Sequence, residues 1–371
     1  MGCELKFMTA AIIMAGGRSS RMRATGCPLH KALVPVLGVS MLERNVCALI
    51  GRGFRNITVA VAANEPAIEH YVANRGAALA DVCGAHLELF READALGTIG
   101  AARYFAESSD PVLVVNVDNL TALDLRALYD AHIASDAAMT VATHTEPFVI
   151  PYGAVTVDAG SIVEYREKPV HPIRVSSGTY VVGPRAIAAI RPGRPTTVPD
   201  LVATLIGAGE RVGSFEHETA WTDVNDAVGV VLAENLIRLH AAEFEQWWPT
   251  PDSESTIVVV SSPAGVLVRR ISSGAEEPSA PAWTTSADGV AIQDDLEPLV
   301  IFDAVDLEQR KVVRHRAYVA PLDSTPTVDA NASWVLIDGE SSGYQLDDTS
   351  RRCVAWERNR ARSVVAEERR A

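Results

Sequence analysis

The chain has 371 residues, 48% of them hydrophobic and 22% charged, with a formal net charge of −14. That length allows two domains with sizeable cores, and the acidic balance argues against nucleic acid or an anionic membrane as partner. No apolar run approaches the ~20 residues that span a bilayer, and the start, Met1-Gly2-Cys3-Glu4-Leu5-Lys6, lacks the apolar core of a secretion signal. Cys3, Cys27, Cys47, Cys83 and Cys353 are odd in number and without C-x-x-C spacing, so they read as reduced thiols of a cytoplasmic protein.

Residues 8–15 are a near-continuous apolar run, as expected of a parallel strand covered on both faces. Ala15-Gly16-Gly17 follows directly. The glycines permit dihedrals closed to other residues and let backbone N–H groups approach phosphate, while Arg18, Arg21 and Arg23 add charge. G-x-x-x-x-G-K-[ST] and G-x-G-x-x-G are both missing, which argues against a P-loop NTPase and a dinucleotide oxidoreductase. Alone, such a Gly-Gly pair fits a plain tight turn equally well.

Strand-like runs at 10–14, 57–62 and 112–117 alternate with helical patterns at 41–52, 67–75, 97–106 and 123–135. The alternation predicts an α/β fold, a Rossmann-like, mainly parallel sheet sandwiched by helices. Right-handed crossovers then bring the Gly16-Gly17 loop and Asp118 to the carboxyl edge of the sheet, where such folds bind ligands. Residues 139–143, 153–157, 162–167 and 178–182 read as a more antiparallel region, and 222–248 as one long closing helix.

Trp247-Trp248-Pro249-Thr250-Pro251-Asp252-Ser253-Glu254-Ser255 marks a boundary. The expected domains are 1–248, a linker 249–255, and a β-rich accessory domain 256–371 with strands at 256–260, 266–271, 299–302, 312–320 and 333–337. Residues 272–289 read as a Pro/Ser/Ala/Gly-rich loop. No hexapeptide period supports a β-helix. Residues 296–322 resemble a Nudix-fold sheet but lack its glutamate-rich helix, so the expected role is oligomerisation or regulation. Arginines and glutamates interspersed over 351–371 predict a solvated helix.

Several segments, in order, resemble the sugar-phosphate nucleotidyltransferases, which make NDP-sugars from an NTP and a sugar 1-phosphate. Gly16-Gly17-Arg18-Ser19-Ser20-Arg21-Met22 resembles their G-G-x-G-T-R-[LM], and His30-Lys31-Ala32-Leu33-Val34-Pro35-Val36 their P-K-x-x-x-P-V. Leu96-Gly97-Thr98 resembles L-G-T, and Asn116-Val117-Asp118 resembles N-G-D. Pro151-Tyr152-Gly153 and Glu167-Lys168-Pro169 match P-Y-G and E-K-P, and Trp221-Thr222-Asp223 matches W-x-D. Ser176-Ser177-Gly178-Thr179-Tyr180 stands where N-A-G-I-Y is usual.

The resemblance, which covers about the first 240 residues, implies catalytic Arg21 and Lys31 and a Mg²⁺ shared by Asp118 and Asp223. It implies nucleotide contacts from Ala15, Gly16, Gly17, Leu96, Gly97 and Thr98, and acceptor contacts from Gly153, Glu167, Lys168 and Ser176. Each has a plainer alternative: Asp118 as a turn cap, Glu167 and Lys168 as an exposed ion pair. The stretch Leu37-Gly38-Val39-Ser40-Met41-Leu42-Glu43 resembles heptose- and mannose-1-phosphate guanylyltransferases and favours GTP over dTTP or UTP. Ser176 in place of asparagine removes an amide that normally meets sugar hydroxyls, so a cyclitol 1-phosphate, as in antibiotic biosynthesis (for instance a valienol 1-phosphate), stands beside sugar 1-phosphates as acceptor. A glycosyltransferase of similar sheet architecture and a non-catalytic nucleotide sensor are the competing classes.

Overall fold

The computed structural model describes residues 9–17, 19, 22, 29–246, 248–262, 265–271, 300–306, 310–321 and 335–337. Seven strands form the main sheet. They are β1 (Ala10–Met14), β2 (Asn56–Ala62), β3 (His86–Glu92), β4 (Val112–Asn116), β5 (Met139–Val149), β6 (Val170–Val182) and β7 (Val212–Glu216), in the order β7-β5-β6-β4-β1-β2-β3. β3, β2, β1 and β4 are mutually parallel; β6 runs antiparallel to both β4 and β5, and β7 parallel to β5. This is the mainly parallel, Rossmann-like sheet that the alternating pattern predicts.

Why β1 is apolar throughout follows from its two neighbours. Ala11, Ile13 and Ala15 face one core with Leu42, Val46, Phe54 and Leu128, carried by the helices Met41–Gly51 and Leu125–Ile133 and the turn between them and β2. Ile12 and Met14 face a second core with Ile99, Tyr180, Leu201 and Leu205, under the helix Val198–Gly207. Alternate side chains of one strand are thus buried on opposite faces. Truncating Ile13 to alanine in such packing costs about 2–5 kcal/mol.

Beyond residue 145 the β5–β6 ribbon leaves the sheet. Phe148, Val149, Val170 and Ile173 are exposed there, as are the paired strands Ala154–Asp158 and Ser161–Arg166. The antiparallel character expected after residue 139 is present.

One expectation is corrected. Residues 222–248 are not a single helix: Trp221–Asp223 is a strand, paired antiparallel with Asn119–Thr121. The helix Ala227–Leu239 begins where the Asp226 carboxylate accepts from Gly229 N at 2.8 Å, an N-cap that stops extension backwards. It ends at His240, whose φ of −121° and ψ of 31° are not helical, and a short helix Ala241–Glu245 follows.

A second, five-stranded sheet has the order Val300–Asp306, Lys311–Pro321, Ser253–Ser262, Gly265–Ile271, Val335–Ile337. All of its pairs are antiparallel except Ser253–Ser262 with Lys311–Pro321. Val312 joins the first core, and the guanidinium carbons of Arg44 and Arg314 lie over the Trp248 ring, 5.5 and 5.6 Å from its centre. The loop expected at 272–289 and the helix expected at 351–371 lie outside the described residues. Among the described residues, no helix is long and apolar enough to cross a membrane.

Candidate active site

The carboxyl ends of β1 and β4 meet at the site. Ala15 N donates to Ala60 O at 2.8 Å and Val117 N to Met14 O at 3.2 Å, which holds the loop after β1 beside Asp118. His30 anchors that loop from the other side. Its Nδ1 accepts from Ala32 N at 3.1 Å, so the ring hydrogen sits on Nε2 and is donated to Gly17 O at 2.8 Å. Lys31 N donates to Ser19 Oγ at 3.0 Å. The short 3₁₀ turn Lys31–Leu33 so ties itself to the glycine loop and aims Lys31 inward.

Lys31 Nζ donates to Asp118 Oδ2 at 2.6 Å, with both side chains mostly covered at 19% and 15% exposure. Asp223 lies on the strand across: it pairs with Asn119, the residue after Asp118, and Val224 N donates to Asp118 O at 2.9 Å. The Asn225 amide donates to Asp223 Oδ2. Two carboxylates on adjoining strands, beside a lysine, suit a divalent cation that takes its remaining oxygens from a phosphate ligand. Among the described residues no cluster of three or more His, Cys, Asp or Glu forms a cage on its own. Arg21 lies outside the described residues.

Glu92, at the end of β3, was not foreseen. It is 3% exposed, and a Cβ built on Gly16 would lie 3.1 Å from each of its carboxylate oxygens. Oε2 accepts from Leu96 N at 3.0 Å, whereas the buried Oε1 has no hydrogen-bond partner among the described residues. Burial raises its pKa, against the Leu96 N–H, which lowers it. The sequence signal was a carboxylate four residues before Leu96, ending a strand with too many charged residues to be recognised.

Leu96, Gly97 and Thr98 pack on the start of the Val198–Gly207 helix. Leu96 O accepts from Thr196 N at 2.8 Å and Thr98 Oγ1 from Val198 N at 3.0 Å. Gly97 has φ +82°, and a Cβ there would lie 2.5 Å from Thr196 O, so only glycine fits. These residues therefore have an architectural use as well as the nucleotide contacts implied for them.

Ser176 lies at a bulge of β6, its hydroxyl donating to Tyr180 OH at 3.1 Å, and at Gly178, with φ +66°, a side chain would run into the Asn116 and Asn119 amides. This places Ser176 next to the Asp118 strand. Gly153, Glu167 and Lys168 stand apart on the exposed ribbon. Gly153 abuts the Tyr165 ring, Tyr165 OH donates to Glu167 Oε2 at 3.2 Å, and Lys168 has φ +44°. Among the described residues none of these three makes a hydrogen bond or ion pair to Lys31, Asp118 or Asp223.

A glycine loop, an inward lysine and a carboxylate gathered at the carboxyl ends of parallel strands are the arrangement with which α/β folds bind nucleotide phosphates. A Nucleotidyl transferase family model matches residues 10–233, and the chain belongs to that family. Its relatives include the mannose-1-phosphate guanylyltransferase catalytic subunit beta of Xenopus tropicalis, 25% identical over 224 residues that make up 58% of this chain and 60% of that protein. The D-glycero-alpha-D-manno-heptose 1-phosphate guanylyltransferase of Aneurinibacillus thermoaerophilus is 26% identical over 174 residues, 46% of this chain and 73% of that one. The crystal structure of HddC from Yersinia pseudotuberculosis superposes with a TM-score of 0.47 at 19% identity, over 61% of this chain and 98% of HddC.

Proposed function

We propose that the protein transfers a nucleoside monophosphate from GTP to a sugar 1-phosphate or cyclitol 1-phosphate, releasing pyrophosphate. A phosphate oxygen of the acceptor attacks the α-phosphorus of the NTP; the new P–O bond forms as the bond to the β-phosphate oxygen breaks, and pyrophosphate leaves with that electron pair. No proton need move, because the acceptor phosphate is already ionised at neutral pH. Catalysis is positioning and charge neutralisation.

Lys31 neutralises charge at the attacked phosphorus, and Arg21 acts toward the β- and γ-phosphates. Asp118 and Asp223 would hold a Mg²⁺, which supplies charge neutralisation at the triphosphate. The backbone of Ala15, Gly16 and Gly17 faces the phosphates, Leu96, Gly97 and Thr98 border the nucleoside, and Gly153, Glu167, Lys168 and Ser176 face the acceptor.

Glu92 is the observation that supports GTP. A carboxylate offers only acceptors, and guanine presents two adjacent donors, N1–H and N2–H, on its Watson–Crick edge. Thymine and uracil present one donor flanked by two carbonyls, which a carboxylate repels. The buried Oε1 against Gly16 is therefore suited to guanine. The experiment is pyrophosphate release from each of GTP, dTTP and UTP with a panel of sugar and cyclitol 1-phosphates. GTP alone supporting turnover agrees with this reading, and a dTTP or UTP preference contradicts the role of Glu92. Nucleotide binding without turnover would favour a sensor.

The domain plan, 1–248, 249–255 and 256–371, remains part of this proposal, with the second sheet as an accessory module for oligomerisation or regulation.

A further inference from the structure

Ser177 is fully buried beside the candidate cation site, and every polar atom of its side chain and carbonyl is used. Its carbonyl accepts twice: from Asn119 Nδ2 at 2.6 Å and from Trp221 Nε1 at 2.9 Å. A carbonyl has two lone pairs, so both are filled. Asn119 directly follows Asp118, and Trp221 stands two residues before Asp223, so one oxygen clasps the two strands that carry the two carboxylates.

The hydroxyl fixes that oxygen in place. Ser177 Oγ lies 2.8 Å from His144 Nδ1 and 2.8 Å from His217 Nε2. His144 Nε2 meets Glu146 Oε1 at 2.9 Å, and His217 Nδ1 meets Thr219 Oγ1 at 2.9 Å. For neutral imidazoles the donors follow in one order. The Glu146 carboxylate only accepts, so His144 Nε2 donates to it and Nδ1 is left to accept from the Ser177 hydroxyl. Ser177 Oγ then accepts from His217 Nε2, and His217 Nδ1 accepts from Thr219. The chain is anchored on three strands or strand ends, since His144 and Glu146 lie on β5, Ser177 on β6 and His217 just past β7. The His144 ring also packs 4.4 Å from the Trp221 ring. An alanine at this position, as in the N-A-G-I-Y that this segment resembles, would keep the carbonyl but lose the hydroxyl that fixes it.

We propose that Ser177 is a positioning residue, locked by His144 and His217, which sets the separation of Asp118 and Asp223 and thereby the affinity for the divalent cation. The inference rests on the reading of those two aspartates as cation ligands. The test measures Mn²⁺ binding to the full-length protein by electron paramagnetic resonance, with GTP present, in wild type, Ser177→Ala, His217→Gln, His217→Leu and Asp118→Asn, with melting temperatures alongside. Ser177→Ala and His217→Leu should weaken Mn²⁺ about tenfold, the size expected when a group orienting a metal ligand is lost. His217→Gln should stay within about twofold of wild type, because its amide N–H can still donate to Ser177.

Unchanged Mn²⁺ affinity in a folded Ser177→Ala protein, with Asp118→Asn strongly impaired, would overturn this inference alone. So would equal weakening by His217→Gln and His217→Leu. Unchanged Mn²⁺ binding in Asp118→Asn would instead sink the functional reading, and this inference with it.

Discussion

Lys31 Nζ and Asp118 Oδ2 lie 2.6 Å apart, joining the turn after the glycine loop to the end of β4. In this arrangement one carboxylate oxygen serves the lysine, and the same carboxylate is proposed to serve a cation. On that proposal the two cations would compete for Asp118 until a triphosphate drew Lys31 toward its own oxygens. Replacing Lys31 by methionine should thus have opposite effects on two measurements. The turnover number should fall about 10²–10³-fold, as when one preorganised charge is removed from a transition state, while half-saturation by Mg²⁺ moves to lower concentration. A rise in the Mg²⁺ requirement would show that Lys31 supports the cation site instead of competing with it.

In the proposed function Glu92 would carry the base preference, and Gln is its cleanest probe. An amide offers one donor and one acceptor, which mismatches guanine and matches the donor–acceptor edge of thymine or uracil. Glu92→Gln should lower kcat/KM for GTP by about 2 kcal/mol, roughly thirtyfold, and raise relative use of dTTP or UTP. Stability should move the other way. Burial raises the Glu92 pKa, so the folded protein holds this proton more tightly than the unfolded chain, and stability falls as pH rises through the raised value. Without nucleotide at pH 7.5, Glu92→Gln should melt higher than wild type; a lower melting temperature would refute the burial argument.

His217 gives a pH signature. Burial, then the neighbouring His144, lowers its pKa from 6.5 to about 4. Between those values the unfolded chain binds a proton that the folded one refuses, so His217's contribution is complete above pH 6.5 and is lost as pH falls toward 4. At most this is roughly 3 kcal/mol. Urea unfolding of wild type and His217→Gln at pH 7.5, 6 and 5 should show the stability difference shifting against wild type as pH falls. A pH-independent difference would mean that the imidazole does not titrate in this window.

Gly97→Ala tests the packing of the Leu96–Thr98 loop, proposed to border the nucleoside, on the Val198–Gly207 helix. The added Cβ would lie 2.5 Å from Thr196 O at a φ of +82°, a combination of clash and left-handed strain that costs of order 1–3 kcal/mol or more. Both the melting temperature and the affinity for GTP should drop. A neutral result would mean that this loop relaxes freely and does not shape the nucleotide pocket.

The buried centre of the fold was legible in the sequence because burial on both faces leaves an apolar run. Ala10–Met14, Asn56–Ala62 and Val112–Asn116 all stood out for that reason; the strands of the second sheet were also marked by their apolar runs. The edges were not. β3 reads His-Leu-Glu-Leu-Phe-Arg-Glu with only Leu87 and Glu92 buried, and β7 contains Gly213 and Ser214, so neither shows a strand pattern. The strand Trp221–Asp223 was hidden by the helical periodicity of the residues after it. Among site residues, Lys31 and Asp118 were named from motif order, and the structure brings them together. Glu92 and the Ser177 network depend on tertiary contacts between strands distant in sequence, for which a single sequence carries no marker.

Pyrophosphate release with Mg²⁺, GTP and a panel of sugar and cyclitol 1-phosphates, run beside Asp118→Asn, tests the central claim most directly. Release from a GTP–acceptor pair that disappears in Asp118→Asn is the predicted result. Sustained release in the mutant, or none from any NTP–acceptor pair despite measurable GTP binding, would contradict the account.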